Sequence, residues 1–292
     1  MTNKTINFQQ QRELGDIISD TFKFIRENFK LLSKVIFKVC GPVFLILLFA
    51  LGYYSYLGLD TFQNPFFGLG ETGSSTMLIF SAFILISSLL AFYVLLYATV
   101  LHFIKSYVQN DGLVNETEVY RGVKNDFGGM LGILILTTVM AAAGTLLCIL
   151  PGIYLWVPLS IAPAIMVFSG QSVFDSISYT FKLIRDNWWT TFFTLFVIGI
   201  LVYIIGMVFQ LPLIFYYFFK ALTGSTEVSL ANPSSLIDWV TTVINVIASL
   251  VQYLLTTIMI IATAFIYYNL DEKKNFTGSY KTISELGSSE DS

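Results

Sequence analysis

Charge is scarce in this sequence. Only 12% of its 292 residues are Asp, Glu, Lys or Arg, against 55% hydrophobic, and mean hydropathy is +0.72. A soluble globular domain carries roughly 25% charged residues, so one soluble domain is excluded as the whole account. The net charge of −3 and the lack of a basic, aromatic-interleaved patch exclude a nucleic-acid surface. Histidine occurs once, as His102, and cysteine twice, as Cys40 and Cys148. Two cysteines in apolar runs do not make a disulfide framework and read as small reduced hydrophobes. No metal-ligand cluster, nucleophile–base pair or glycine-rich phosphate loop is present, so neither an enzyme nor a cofactor is expected. Residues 1–30 lack an early apolar core and a cleavage site, so no signal peptide is expected there.

What the chain has instead is apolar runs of bilayer length, each of the order of 20 residues. Spans are expected at about 35–56, 77–103, 129–150, 153–168, 190–219 and within 236–268. The fourth carries Pro158 and Pro163 and is short. Broken backbone at membrane depth needs protein or water to satisfy its freed groups, which places this span inside the bundle. Leu150-Pro151-Gly152 reads as the turn before it. Gly41-Pro42 predicts a kink at the start of the first span.

A second feature is repetition, which sets architecture. Residues 16–29 return at 175–188 without a gap, with nine of fourteen positions identical. A fainter copy at 120–127 keeps the residue classes of 22–29. Each copy precedes an apolar run and has helical periodicity. In the first, Ile18, Phe22, Ile25, Phe29 and Leu32 form the expected apolar face. Asn28 and Asn187 are expected to end the helix or act as hinges. Gly122 weakens the helix of the middle copy. The fold expected is all-α: a polytopic membrane protein of six transmembrane helices, in three repeats of amphipathic helix plus hairpin. The units fall at about 14–104, 114–170 and 172–268, within a single integral membrane domain. Residues 1–12 read as loose and 271–292 as a polar cytoplasmic tail.

Basic residues give the orientation. The segments 1–38, 105–129, 170–187 and 271–292 hold fifteen of the sixteen Lys and Arg, and the loops 60–76, 151–152 and 220–235 hold only Lys220. Basic loops stay in the cytoplasm, so both termini and all three amphipathic helices are expected there.

Two groups of residues are candidates for function. Lys23, Arg26, Lys30, Arg121, Lys124, Lys182 and Arg185 suit anionic headgroups at the inner leaflet. Their helices read equally as elbows tying each hairpin to the bundle. Thr241, Asn245, Ser249, Gln252 and Thr256, with Gln210 able to join them, make a polar stripe. It reads as an interhelical hydrogen-bond seam or as part of a path. His102 is expected at the interface. At hydrocarbon depth the apolar runs hold no Asp, Glu, Lys or Arg, Lys38 falling at the start of the first span, which counts against ion-coupled transport.

Residues 14–17 (Leu-Gly-Asp-Ile), 22–29 (Phe-Lys-Phe-Ile-Arg-Glu-Asn-Phe), 150–155 (Leu-Pro-Gly-Ile-Tyr-Leu) and 180–189 (Thr-Phe-Lys-Leu-Ile-Arg-Asp-Asn-Trp-Trp) resemble the membrane domain of glycerophosphoryl diester phosphodiesterases. They are equally similar to bacterial membrane proteins related to that domain. The resemblance covers about residues 12–270. It implies a bacterial inner-membrane helical bundle. It implies no phosphodiesterase activity, because the catalytic barrel of the fused members, with its acidic metal ligands and histidines, is missing here. The expected function is a non-catalytic scaffold or subunit of a membrane assembly. The rival is a transporter or lipid-handling protein with a path between the hairpins. The partners expected are membrane lipids together with a protein partner or a second copy.

Overall fold

The computed structural model describes residues 6–63, 72–222, 239–280 and 283. The described residues form helices and no strand: α1 (Leu14–Gln63), α2 (Thr72–Gln109), α3 (Glu116–Leu147), α4 (Ile149–Leu159), α5 (Ala162–Ser169), α6 (Val173–Ile184), α7 (Trp188–Leu222) and α8 (Trp239–Asn275). Six helical stretches are long and apolar enough to cross a membrane: Leu14–Tyr54, Thr76–Gln109, Glu116–Leu147, Ile149–Ser169, Trp188–Lys220 and Ile247–Asn275. The chain is an all-α, multi-pass membrane protein.

The helices extend beyond the apolar runs. In α1 and α3 the amphipathic copy and the span that follows form one continuous helix. Asn28 does not end the first copy. Its Nδ2 donates to the Phe24 carbonyl (3.0 Å), so the amide joins the helix rather than capping it. Asn187 does sit at a break. The Ile184 carbonyl accepts from its N–H (2.8 Å), and its own carbonyl accepts the first bond of α7 from Thr191 N–H (3.0 Å). Pro42 lies within α1 without ending it. The expected loop at 60–76 is shorter, since α1 reaches Gln63 and α2 starts at Thr72. Residues 235–238 (Ser-Leu-Ile-Asp) have the spacing of a capping box and lie outside the described residues.

Burial over the first turns of the first copy is one residue out of phase with the expected face. Ile17, Thr21 and Phe24 are buried, Ile18, Phe22 and Ile25 are half-buried, and Phe29 is 60% exposed; Leu32, of the expected face, is buried. Threonine can take a core position here because its hydroxyl donates to the Ile17 carbonyl (2.7 Å). At the matched positions of the third copy, Ser176, Thr180 and Leu183 are buried, and the Thr180 hydroxyl donates to the Ile177 carbonyl (2.7 Å).

The chain forms two compact units. One contains residues 1–39, 94–200 and 257–292, and the other 40–93 and 201–256. Helices α3 to α6 lie wholly in the first unit, whereas α1, α2, α7 and α8 contribute to both.

The core of the first unit is aromatic and uses residues 6–12, which the sequence reading left loose. Phe8 is 1% exposed and stacks on Phe265 (4.2 Å), with Phe24, Tyr107 and Tyr268 edge-on around it. Arg12 is buried beside it, over the Phe265 ring at 4.8 Å. Its Nε donates to Asp20 (2.8 Å), its Nη1 to the Phe8 carbonyl (2.8 Å), and its backbone N–H to Asn269 Oδ1 (2.8 Å). A buried guanidinium needs this full set of acceptors. Beyond α8, residues 277–280 form one helical turn. Glu272 holds it by accepting from Gly278 N–H (2.6 Å) and Ser279 N–H (3.1 Å). These residues of the expected tail are therefore folded.

In the second unit Phe44, Phe92, Tyr93 and Tyr253 form an aromatic cluster with ring centroids 5.3–6.2 Å apart. There α7 and α8 approach at Gly206, where an added Cβ would lie 2.7 Å from Gln252 Oε1.

Candidate functional site

Two concavities lie in the first unit. The larger, about 410 Å³, surrounds the broken fourth apolar stretch. The break has a local cause. Proline removes amide donors at positions 158 and 163, and the chain leaves α4 through Ser160 and Ile161, whose N–H groups donate to Trp156 O (2.9 Å) and Pro158 O (3.1 Å). Pro163 then falls in the first turn of α5, where an amide has no helical partner anyway. Residues Ala162 to Val167 are all buried, as expected for this span, but its first half is not, since Ile153, Tyr154 and Trp156 are exposed. Gly170, with φ +66°, ends α5 in the left-handed conformation.

The polar lining of this cavity is hydroxyl: Tyr97, Thr137, Thr138, Thr145, Ser160 and Thr263, with no charged side chain. Four of these hydroxyls are already donors within their own helices. Thr137 donates to Ile133 O (2.7 Å), Thr145 to Ala141 O (2.9 Å), Ser160 to Val157 O (2.8 Å) and Thr263 to Ile260 O (2.7 Å). A hydroxyl has one proton and two lone pairs, so these groups offer acceptors to the cavity. That chemistry suits an uncharged amphiphile carrying its own donor.

The second concavity, about 300 Å³, lies between the end of α2 and the start of α3. His102, Lys105, Glu118, Arg121 and Asp126 line it. The turn that builds it uses Asp111 and Gly112 at positive φ (49° and 93°). Asn115 caps α3 by accepting from Thr117 N–H (3.1 Å). Glu118 accepts from Ser106 Oγ (3.1 Å), Asn110 Nδ2 (3.0 Å) and Asn115 Nδ2 (3.1 Å). Lys105 Nζ donates to the Val167 carbonyl (2.6 Å) near the end of α5, where the helix dipole favours a cation.

His102, expected at the interface, is buried against protein. It is 6% exposed, with Nε2 3.0 Å from Asp126 Oδ2 but off the line a hydrogen bond requires. Gly122 explains the burial: an added Cβ there would lie 2.6 Å from His102 Cε1. The glycine that counts against a helix at 120–127 is the space the imidazole fills.

The expected headgroup contacts all lie in the first unit. Lys23 is half-buried, and Arg26, Lys30, Arg121, Lys124, Lys182 and Arg185 are exposed. None of the seven forms a salt bridge among the described residues. Neighbouring cations are engaged: Lys34 pairs with Glu116 at 2.6 Å, and Lys38 lies over Tyr120 at 4.5 Å.

The polar stripe falls in the second unit and contributes no lining residue to either concavity. Thr241 is buried, Ser249 and Thr256 are half-buried, and Gln210 and Gln252 are exposed. The Thr256 hydroxyl donates to Gln252 O (3.2 Å). The Asn245 side chain lies outside the described residues. The cavity hydroxyls escape sequence reading because they come from α2, α3, the end of α4 and α8, with no common period. The one sequence pointer to them is the proline pair at 158 and 163. Searches for similar proteins return no matching family model, no matching curated protein and no matching solved structure.

Proposed function

We propose that this protein handles a lipid or a small neutral amphiphile in the membrane, holding it in the hydroxyl-lined cavity beside the broken helix. The observation that carries this reading is the cavity itself, about 410 Å³ with no charged lining and hydroxyls that face it as acceptors. Pockets of ordinary ligand size run from roughly 300 to 1,000 Å³. In this reading the membrane is a bacterial inner membrane with both chain ends cytoplasmic, and the three basic helices meet anionic headgroups. The resemblance to phosphodiesterase membrane domains fits such a setting and adds no catalytic step.

A second reading, the scaffold or subunit without catalysis, has its own support. The apolar stripe of Ile18, Phe22, Ile25 and Phe29 is left half-buried or exposed on α1, available to a protein neighbour.

Purification in a gentle detergent followed by mass analysis of intact complexes separates the two. A defined neutral lipid should remain with the wild-type chain and be lost from the Thr137→Val/Ser160→Ala/Thr263→Val variant at unchanged thermal stability. A stoichiometric protein companion with no retained lipid would favour the subunit reading instead.

A further inference from the structure

The hairpin formed by α3, α4 and α5 is long and apolar enough to cross a membrane, but charge is silent on how deep it goes. Its turn carries no Lys or Arg, so the basic segments fall on one side whether this hairpin crosses or turns back. We propose that it is re-entrant. Its turn at Cys148 stays in the leaflet on the α6 side, and its exposed apolar tip is a surface for the acyl chains of that leaflet.

Two sets of contacts within the first unit carry this. The first fixes where α4 begins. Lys274 Nζ donates to the Lys182 carbonyl (2.7 Å) and Asn275 Nδ2 to the Tyr179 hydroxyl (2.9 Å), so α6 runs beside the charged end of α8. Arg185 and Asp186 continue that water-facing edge. Trp188, two residues later, stacks on Tyr154 at 5.5 Å, and its Nε1 donates to the Tyr154 carbonyl (3.3 Å). Tyr154 therefore lies beside the polar edge. Cys148 is six residues away, about 9 Å of helix at 1.5 Å per residue. The hydrocarbon core is about 30 Å thick.

The second set limits the depth of the turn independently. Thr145, three residues before Cys148, lines the same cavity as Leu195 and Tyr97. Leu195 is only seven residues beyond Trp188 in α7, about 10 Å, and Tyr97 is eight residues from Lys105, about 12 Å. A hairpin that crossed would carry Thr145 to the far ends of α2 and α7.

The tip suits this position. Leu146, Leu147 and Leu150 are 89%, 84% and 76% exposed, and no charge stands among them. Irregular backbone at membrane depth requires cover by protein, and the break that follows the tip has it, in the buried residues of α5. The inference stands whether or not the cavity holds a lipid.

The native cysteines allow a direct test. In a Cys40→Ala chain, Cys148 is the only thiol. Two reference chains carry Cys40→Ala and Cys148→Ser with either Ser178→Cys on α6 or Ser225→Cys in the 220–235 loop. Sealed vesicles of both orientations receive a membrane-impermeant maleimide. In parallel, a fluorophore on Cys148 is quenched by bromolipids confined to one leaflet. The expected result is no modification from the Ser225→Cys side and quenching from the leaflet on the Ser178→Cys side. Modification of Cys148 from the Ser225→Cys side, or quenching only by that leaflet, would overturn the proposal.

Discussion

Gly122 shows how one absent side chain can position another. The His102 ring occupies the space a Cβ would take, 2.6–2.7 Å from Cε1 and Cγ, and the ring is buried and cannot swing into water. Gly122→Ala should therefore lower stability by about 1–3 kcal/mol, the usual range for overpacking, despite alanine's better helix propensity. Thermal unfolding in detergent measures this, and His102→Ala in the same chain should recover most of the loss. An unchanged midpoint for Gly122→Ala alone would mean that the imidazole yields freely. Arg12 teaches the same lesson for charge. Nothing in a polar N-terminal dozen marks one arginine for the core. Its guanidinium finds acceptors on Phe8 and Asp20, and its backbone N–H finds one on Asn269, 257 positions away.

At the scale of elements, α3 and α4 pack closely. The turn expected at Leu150-Pro151-Gly152 lies two residues earlier in the chain, at Cys148, in extended backbone with φ −171° and ψ 150°. Pro151 and Gly152 fall inside the first turn of α4, where proline's missing N–H has no helical partner to lose. Gly152 faces α3 so closely that an added Cβ would lie 2.8 Å from Thr145 Cα, a backbone atom that cannot move aside. Gly128 in α3 has open space at the same test. Gly152→Ala should lower the unfolding midpoint, while Gly128→Ala should hold or raise it, since alanine favours a helix over glycine by about 1 kcal/mol. Equal midpoints for the two variants would contradict this packing.

Helix existence was legible because apolar runs of bilayer length admit few alternatives. Helix ends and faces were not. The buried side of α1 includes Thr21, a residue that hydropathy places outside, and only the carbonyl that accepts its proton makes the position tolerable. The cavity was legible only as a proline pair, because its hydroxyls converge through packing and not through spacing.

On the scale of the molecule, the two ends of the chain share one core. Phe8 stacks on Phe265, and an added Cβ at Gly278 would lie 2.8 Å from Gln9 Cβ. Phe8→Ala should cost about 3–5 kcal/mol, as for other buried aromatic truncations. Limited proteolysis is the informative readout. Cleavage should appear both near residue 10 and near residues 276–280, because the segments support each other. Cleavage confined to the N-terminal site would show that the end of α8 stands alone.

That shared core also sets a timetable for biosynthesis. Phe8 and Arg12 leave the ribosome early, yet Phe265 and Asn269 follow 257 residues later in each case. At roughly 5–20 residues per second, the first segment waits about 10–50 seconds for its partners. Throughout that interval every helix up to α7 has entered the membrane while the aromatic pocket has no floor. The nascent chain therefore carries an exposed phenylalanine, beside an arginine that Asp20 already pairs, until α8 is made. A chaperone, or the insertion machinery itself, has that long to hold them.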